Sequence, residues 1–148
     1  MRVIVCGSRN WTDENAIERE IGNVIRLYGY GAFKEITIVH GDNGYDAHGH
    51  ALPPFKPDEL AVRGADKLAG KVARRLLLKV EQHPAFWKQM AAKGLPKTAA
   101  GPVRNQEMLD AGVDLVIAFH PNILESKGTL DMFKKAVKAK VPIWLVPA

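Results

Sequence analysis

Residues Val3-Ile4-Val5-Cys6 form an unbroken apolar run that stops abruptly at Gly7-Ser8-Arg9. A short apolar run without polar alternation reads as a strand buried on both faces, the kind found in parallel sheets. Such a strand constrains the fold strongly, because both of its faces have to be covered. Gly7 permits a sharp turn and the close approach of a ligand. Ser8 donates and accepts hydrogen bonds, and Arg9 offers a planar fork suited to phosphate or carboxylate. In open α/β sheets the carboxyl end of a strand is where an anionic ligand is held. A plain turn followed by a solvated arginine is the alternative reading of this segment by itself.

The rest of the chain supplies the covering helices. Thr12 or Asp13 caps a helix whose apolar face is Ile17, Ile21, Val24, Ile25 and Tyr28, stopped by Gly29 and Gly31. Residues 35–40 form a second strand, β-branched and apolar. Residues 41–63 hold three Gly, three Pro and two clustered His, with no sustained period. Ala65, Leu68, Ala69, Val72, Ala73 and Leu76 mark a second amphipathic helix. It passes into a third strand that ends near Pro84, which cannot donate into a ladder. A short helix over 85–93 and a helix over 102–112 with Pro102 at its start follow. Residues 114–119 are a fourth strand. Gly128-Thr129 leads a helix with Leu130, Phe133 and Val137 on one face, and 141–146 is the last strand.

This alternation predicts an α/β domain over residues 1–148, with a mostly parallel five-stranded sheet and helices on both faces. Right-handed crossovers place every strand's carboxyl end on one edge. That edge gathers Gly7-Ser8-Arg9, His40-Gly41-Asp42, His83 and Phe119-His120. The helix starts near 101–105 and 126–129 join it with free N–H groups and positive dipole ends. The net charge is +5, from 21 Lys+Arg against 16 Asp+Glu, a mild bias toward an anionic partner. Much of the excess sits at Lys127, Lys134, Lys135, Lys138 and Lys140, four of which fall on or beside a helix and also read as its solvated face. Cys6 is the sole cysteine, so no disulfide framework is expected and a reducing compartment is. No signal-type segment and no membrane-length apolar run is present, which makes a cytoplasmic location the expectation.

Six short motifs fall in order: Val-Ile-Val-Cys-Gly-Ser-Arg, His40-Gly41, Arg63-Gly64-Ala65-Asp66, His83-Pro84 with Trp87, the run from Ala99 through Arg104-Asn105 with Met108, and Gly128-Thr129 with Asp131-Met132. In this order the chain resembles the YspA-type, cpYpsA-related branch of the SLOG superfamily over nearly its whole length. The resemblance implies a Rossmann-like three-layer domain that binds a nucleotide or nucleotide-derived molecule. Relatives in that superfamily include the LOG phosphoribohydrolases, which cleave nucleoside monophosphates, and DprA, which binds single-stranded DNA. The chain departs from the pattern in two places. An irregular insertion occupies about 42–62, and the Gly-Gly-x-Gly-Thr phosphate loop reads Glu125-Ser126-Lys127-Gly128-Thr129. Met132 stands where the LOG enzymes carry a glutamate.

The expected ligand-binding set is Gly7, Ser8, Arg9, Gly41, Arg104, Asn105, Ser126, Lys127, Gly128 and Thr129. Arg104 would hold phosphate through its fork and Asn105 ribose through both amide groups. Plainer readings are a surface arginine, a capping asparagine and an ordinary threonine cap. Asp66, Asp131 and His40 are the acid/base candidates. For Asp66, a helix cap or a pair with Arg63 is an equal alternative. Trp11, Phe119 and Trp87 are candidates for stacking on a base, against core packing. His40, Asp42, Asp46, His48 and His50 match no standard metal framework. Residues 41–63 instead read as a solvated, mobile loop, able as a lid to place a histidine over a ligand. No metal and no cofactor are expected.

The functional expectation is therefore nucleotide binding at the carboxyl edge of the sheet, with or without hydrolysis of an N-glycosidic bond. A non-catalytic sensor or sequestering protein is the first alternative, and single-stranded nucleic-acid binding the second. A homo-oligomer is left open.

Overall fold

The opening apolar run is the centre of the sheet. In the computed structural model, which describes residues 1–29 and 35–148 without the side chains of Trp87, Lys88 and Lys97, strand β1 (Arg2–Gly7) pairs on both sides. Its neighbours are β2 (Thr37–His40) and β4 (Leu115–Phe119), with β3 (Lys79–Gln82) and β5 (Ile143–Val146) at the edges. The order is β3-β2-β1-β4-β5 and every pairing is parallel. This is a Rossmann-like three-layer α/β fold. The Trp87 side chain and Gly31 lie outside the described residues.

Side-chain alternation divides the core. Val3, Val5, Ile38, Leu115 and Ile117 face helices α1 (Glu14–Tyr28) and α2 (Ala65–Arg75). Ile4, Val39 and Val116 face the other way, against α4 (Ala100–Asp110) and α5 (Lys127–Lys138), packing on Met108, Met132 and Ala136. Helix α3 (Trp87–Ala92) lies between β3 and α4 in the chain.

The structure moves some boundaries for local reasons. Helix α2 ends at Arg75; Leu77 turns the chain with φ of 61° and is exposed, so β3 starts only at Lys79. Helix α4 starts two residues before Pro102, which still sits in the first turn, where its missing N–H costs nothing. In α5 the buried stripe is Thr129, Met132 and Ala136, not Leu130, Phe133 and Val137; Val137 is exposed. Residues 41–63 are stitched in place. Tyr45 bridges both Ala51 and Arg63, and a single 3-10 turn forms at Asp58–Leu60. No described helix is long and apolar enough to cross a membrane.

Candidate functional site

Strands β2 and β3 lie on one side of β1, and β4 and β5 on the other. The winding therefore reverses between β1 and β4, and a crevice opens beyond their carboxyl ends. Gly7 makes the corner. Its φ is 156°, and a Cβ there would lie 2.2 Å from the Phe119 carbonyl oxygen. With no side chain in the way, the Ser8 N–H donates to Phe119 O at 2.8 Å. Ser8 Oγ accepts from the Asn10 N–H at 3.0 Å, and Ser8 O accepts from Ala65 N–H at 3.1 Å, which ties the corner to α2. The Arg9 side chain is left exposed, in no ion pair among the described residues.

A cavity of about 500 Å³ fills the crevice. Gly7, Ser8, Arg9, Gly41, Arg104, Asn105 and the whole 126–129 segment line it, so the expected binding residues converge. Ser126 caps α5, accepting from the Thr129 N–H at 3.1 Å. The N–H groups of Lys127 and Gly128 begin the helix where no intrahelical carbonyl reaches them. The positive end of the α5 dipole and the exposed Lys127 therefore face the cavity mouth, with Glu125 beside them.

Arg104 is the buried cation of this cavity, 8% exposed. Its Nη1 donates to Gly41 O at 2.6 Å and to His83 O at 3.3 Å, and its Nε donates to Asn105 Oδ1 at 3.0 Å. Among the described residues Nη2 has no partner, and it is not sealed from the cavity. Asn105, expected to grip ribose, has both amide groups committed within the protein. Its Nδ2 donates to Asp131 Oδ2 at 3.0 Å and Gly128 O at 3.3 Å. Asn105 thus joins Arg104 to α5.

Asp66 lies on the cavity floor at the start of α2, 6% exposed. Its Oδ2 accepts from Asn43 N–H at 3.3 Å and Asn43 Nδ2 at 3.2 Å, while Oδ1 has no partner among the described residues and is not sealed off. Burial pushes the Asp66 carboxyl above the usual carboxylate range, against the pull of Arg104 and the Asn43 bonds. Gly41 separates the two groups. A Cβ on it would meet Arg104 Nη1 at 2.5 Å and Asp66 Oδ2 at 2.8 Å. The thiol of Cys6, also in the lining, is pushed up by burial and then by Asp66, so it stays protonated.

Four other candidates are placed elsewhere. Asp131 sits behind Asn105, paired with Lys135 at 2.7 Å, and does not line the cavity. Trp11 and Phe119 pack on each other in the core, ring centroids 5.4 Å apart. Neither offers a face to a base. His40 is fully buried on the α2 side of the sheet, because residue parity points it the same way as Ile38. Its Nδ1 accepts from the Asp42 N–H at 3.0 Å, so its proton lies on Nε2, 3.2 Å from Asp58 Oδ2.

His40 belongs to a buried charge network that sequence reasoning missed. Lys67 Nζ, fully buried, lies 2.6 Å from Asp42 Oδ1, 2.7 Å from Lys56 O and 3.6 Å from Asp58 Oδ1. His40, Asp42 and Asp58 bring ligand atoms within 4.8 Å of one another, but the Lys67 ammonium already supplies the cation for their carboxylates. Arg74 balances Asp58 at 3.1 Å. Gly70 admits the cluster; a Cβ there would lie 2.1 Å from Asp58 Oδ2. This network fastens the insertion, expected as a mobile loop, onto α2 and β2.

Burial works to raise the Asp58 carboxyl, but the His40 hydrogen bond, Lys67 and Arg74 overcome it and hold the group below the usual range. A depressed folded-state pKa contributes stability above the unfolded value of about 4, and loses it as pH falls through the folded value. Asp58→Asn already lacks that contribution. Urea unfolding at pH 7 and pH 3 is therefore expected to show a smaller loss of stability on acidification in Asp58→Asn than in the natural protein. An equal or larger loss contradicts the assignment.

No protein-family model matches the chain. The Gene 61 protein of Mycobacterium phage D29 is 28% identical over 147 residues, covering 96% of this chain and 93% of that protein. Among solved structures, the E. coli tRNA N6-threonylcarbamoyladenosine dehydratase, TcdA, aligns over 97% of this chain and 50% of its own, with a TM-score of 0.48 and 9% identity. The same enzyme in complex with AMP aligns over 97% of this chain and 49% of its own, again with a TM-score of 0.48 and 9% identity. The chain spans about half the length of that enzyme.

Proposed function

We propose that this chain binds a nucleotide or nucleotide-derived molecule in the β1/β4 crevice, its phosphate against the first turn of α5. The observation that carries this reading is Arg104. A guanidinium buried this deeply is costly unless its charge is met, and its Nη2 is left open to the cavity. A phosphate placed there takes a charge-assisted bond from Nη2 and further bonds from the Lys127 and Gly128 N–H groups. Exposed Arg9 and Lys127 add attraction at the mouth. The likeness of its motifs to the YspA-type SLOG proteins points the same way. A small Ser126 stands in for the family's paired glycines and leaves the helix start accessible.

A second reading rests on Asp66. A carboxyl raised by burial, with one oxygen open to the ligand cavity, is placed to exchange a proton with a bound ligand. With a nucleotide in place, hydrolysis of the N-glycosidic bond is the reaction that fits, with Asp66 as acid/base. Without turnover, the same pocket serves a sensor or sequestering protein.

Both readings are tested by titrating the full chain with a nucleotide panel while following melting temperature and products together. A nucleotide that raises the melting temperature in a concentration-dependent way is the expected result. Released base with ribose phosphate marks the hydrolase, and stabilisation without product marks the binding protein. No shift with any nucleotide overturns the proposal. So does tight oligonucleotide binding with a steep salt dependence in place of nucleotide binding.

A further inference from the structure

The insertion does more than cover the core. Between it and Pro84-Ala85 lies a second cavity of about 320 Å³, lined by Tyr45, Ala51, Leu52, Pro53 and Pro54. It shares Arg9, Gly41 and Asn43 with the first, so the two meet along that seam. Their chemistry differs. The crevice carries Arg104, Asp66, Lys127 and a helix start, whereas the second chamber is walled by proline, leucine and alanine. Its one acid, Asp42, is already engaged: Oδ1 takes Lys67 Nζ at 2.6 Å and Gln82 Nε2 at 2.8 Å, and Oδ2 takes the Phe55 N–H at 2.7 Å.

The chamber is also preformed. Leu52 N–H donates to Gly44 O at 2.9 Å, and Tyr45 N–H to Arg63 O at 2.9 Å. The Arg63 guanidinium lies 3.9 Å from the Tyr45 ring centroid and braces it. Lys67 Nζ holds Lys56 O at 2.7 Å from below. A wall fixed in this way binds without the cost of ordering a loop.

We infer that the chamber built by the insertion is the base subsite: it takes the uncharged heterocycle of a nucleotide whose phosphate sits at the α5 start. This rests on the proposed nucleotide binding and adds where selectivity lies. Arg9, at the seam, stands over the link between the two parts. Apolar walls with few polar groups suit a flat, uncharged ring, and an anionic group is better placed in the crevice. The site is specific to this chain's insertion and uses neither Trp11 nor Phe119.

The test compares ribose 5-phosphate with AMP, GMP, CMP and UMP by titration calorimetry on the full chain. The tightest of the four is expected to bind at least about tenfold better than ribose 5-phosphate, the scale of a filled apolar subsite. Ala51 and Pro54 are both exposed at the chamber wall, so Ala51→Trp and Pro54→Trp fill it from outside the core. Each is expected to bring the nucleotide down to the affinity of ribose 5-phosphate and to leave ribose 5-phosphate unchanged. Nucleotide affinity that survives both substitutions, or equal weakening of both ligands, overturns the subsite while leaving nucleotide binding standing. If neither ligand class binds the natural chain, the nucleotide reading fails and the subsite fails with it.

Discussion

Lys67→Met is expected to destabilise the fold by about 3–5 kcal/mol, the range for breaking a buried ion pair on one side. Lys67 is fully buried, and its ammonium is shared by Asp42 and Asp58, both buried as well. Methionine keeps the stem and its packing against Gly44 but leaves the two carboxylates short of one cation. Arg74 still serves Asp58, so Asp42 is the group left uncompensated. The matching double variant, Lys67→Met with Asp42→Asn, removes one charge of each sign. It is expected to recover a large part of the loss, because an isolated buried charge is worse than none. Urea unfolding of the three proteins at pH 7 measures the coupling. A single variant as stable as the natural chain, or a double variant no better than the single, shows that the network does not hold the insertion.

The fold was legible for the reason that β1 was: a strand buried on both faces leaves an apolar run with no alternation, and the chain repeats that signal between helical periods. The corner at Gly7-Ser8-Arg9, Arg104 and the α5 start were legible too, because strand ends and helix starts must share one edge. Asp66 was readable as the first acid of α2. His40 was open to correction from sequence alone. Val39 faces α4 and α5, so one step along the strand turns His40 under α2. The Lys67 network was not readable. Its members come from β2, the insertion and α2, and no local period links Asp42, Asp58 and Lys67. A lysine beside an apolar stripe looks solvated until a distant segment covers it. The roles of Asn105 and Asp131 escaped for a similar reason. A polar residue at a pocket looks like a ligand contact, and only its hydrogen bonds show that both amide groups of Asn105 are engaged within the protein.

Arg104→Ala is expected to weaken nucleotide and inorganic phosphate binding by about 2–5 kcal/mol, at least roughly thirtyfold, as for truncation of a buried, hydrogen-bonded charge at an interface. Two effects add. The phosphate loses the Nη2 donor, and the positive charge that balances the cavity floor disappears with it. Arg104 is also the largest influence lowering the Asp66 carboxyl, so its removal lets that group rise further from the usual range. The neutral form of Asp66 then persists to higher pH, and any turnover that needs the ionised group shifts its pH profile upward. Arg104→Lys separates the two effects. It retains the charge but not the fork that reaches Gly41 O and Asn105 Oδ1 together. A point charge alone is expected to recover the Asp66 shift more fully than the affinity. Asn105→Ala acts one step removed, freeing the Arg104 Nε while leaving its charge, so its loss of affinity falls below that of Arg104→Ala. Calorimetric titration of the three variants with the tightest nucleotide and with phosphate gives this order directly. If Arg104→Ala binds within about twofold of the natural chain, the anion does not sit at the cation that geometry holds for it, and the α5 start alone has to carry the phosphate.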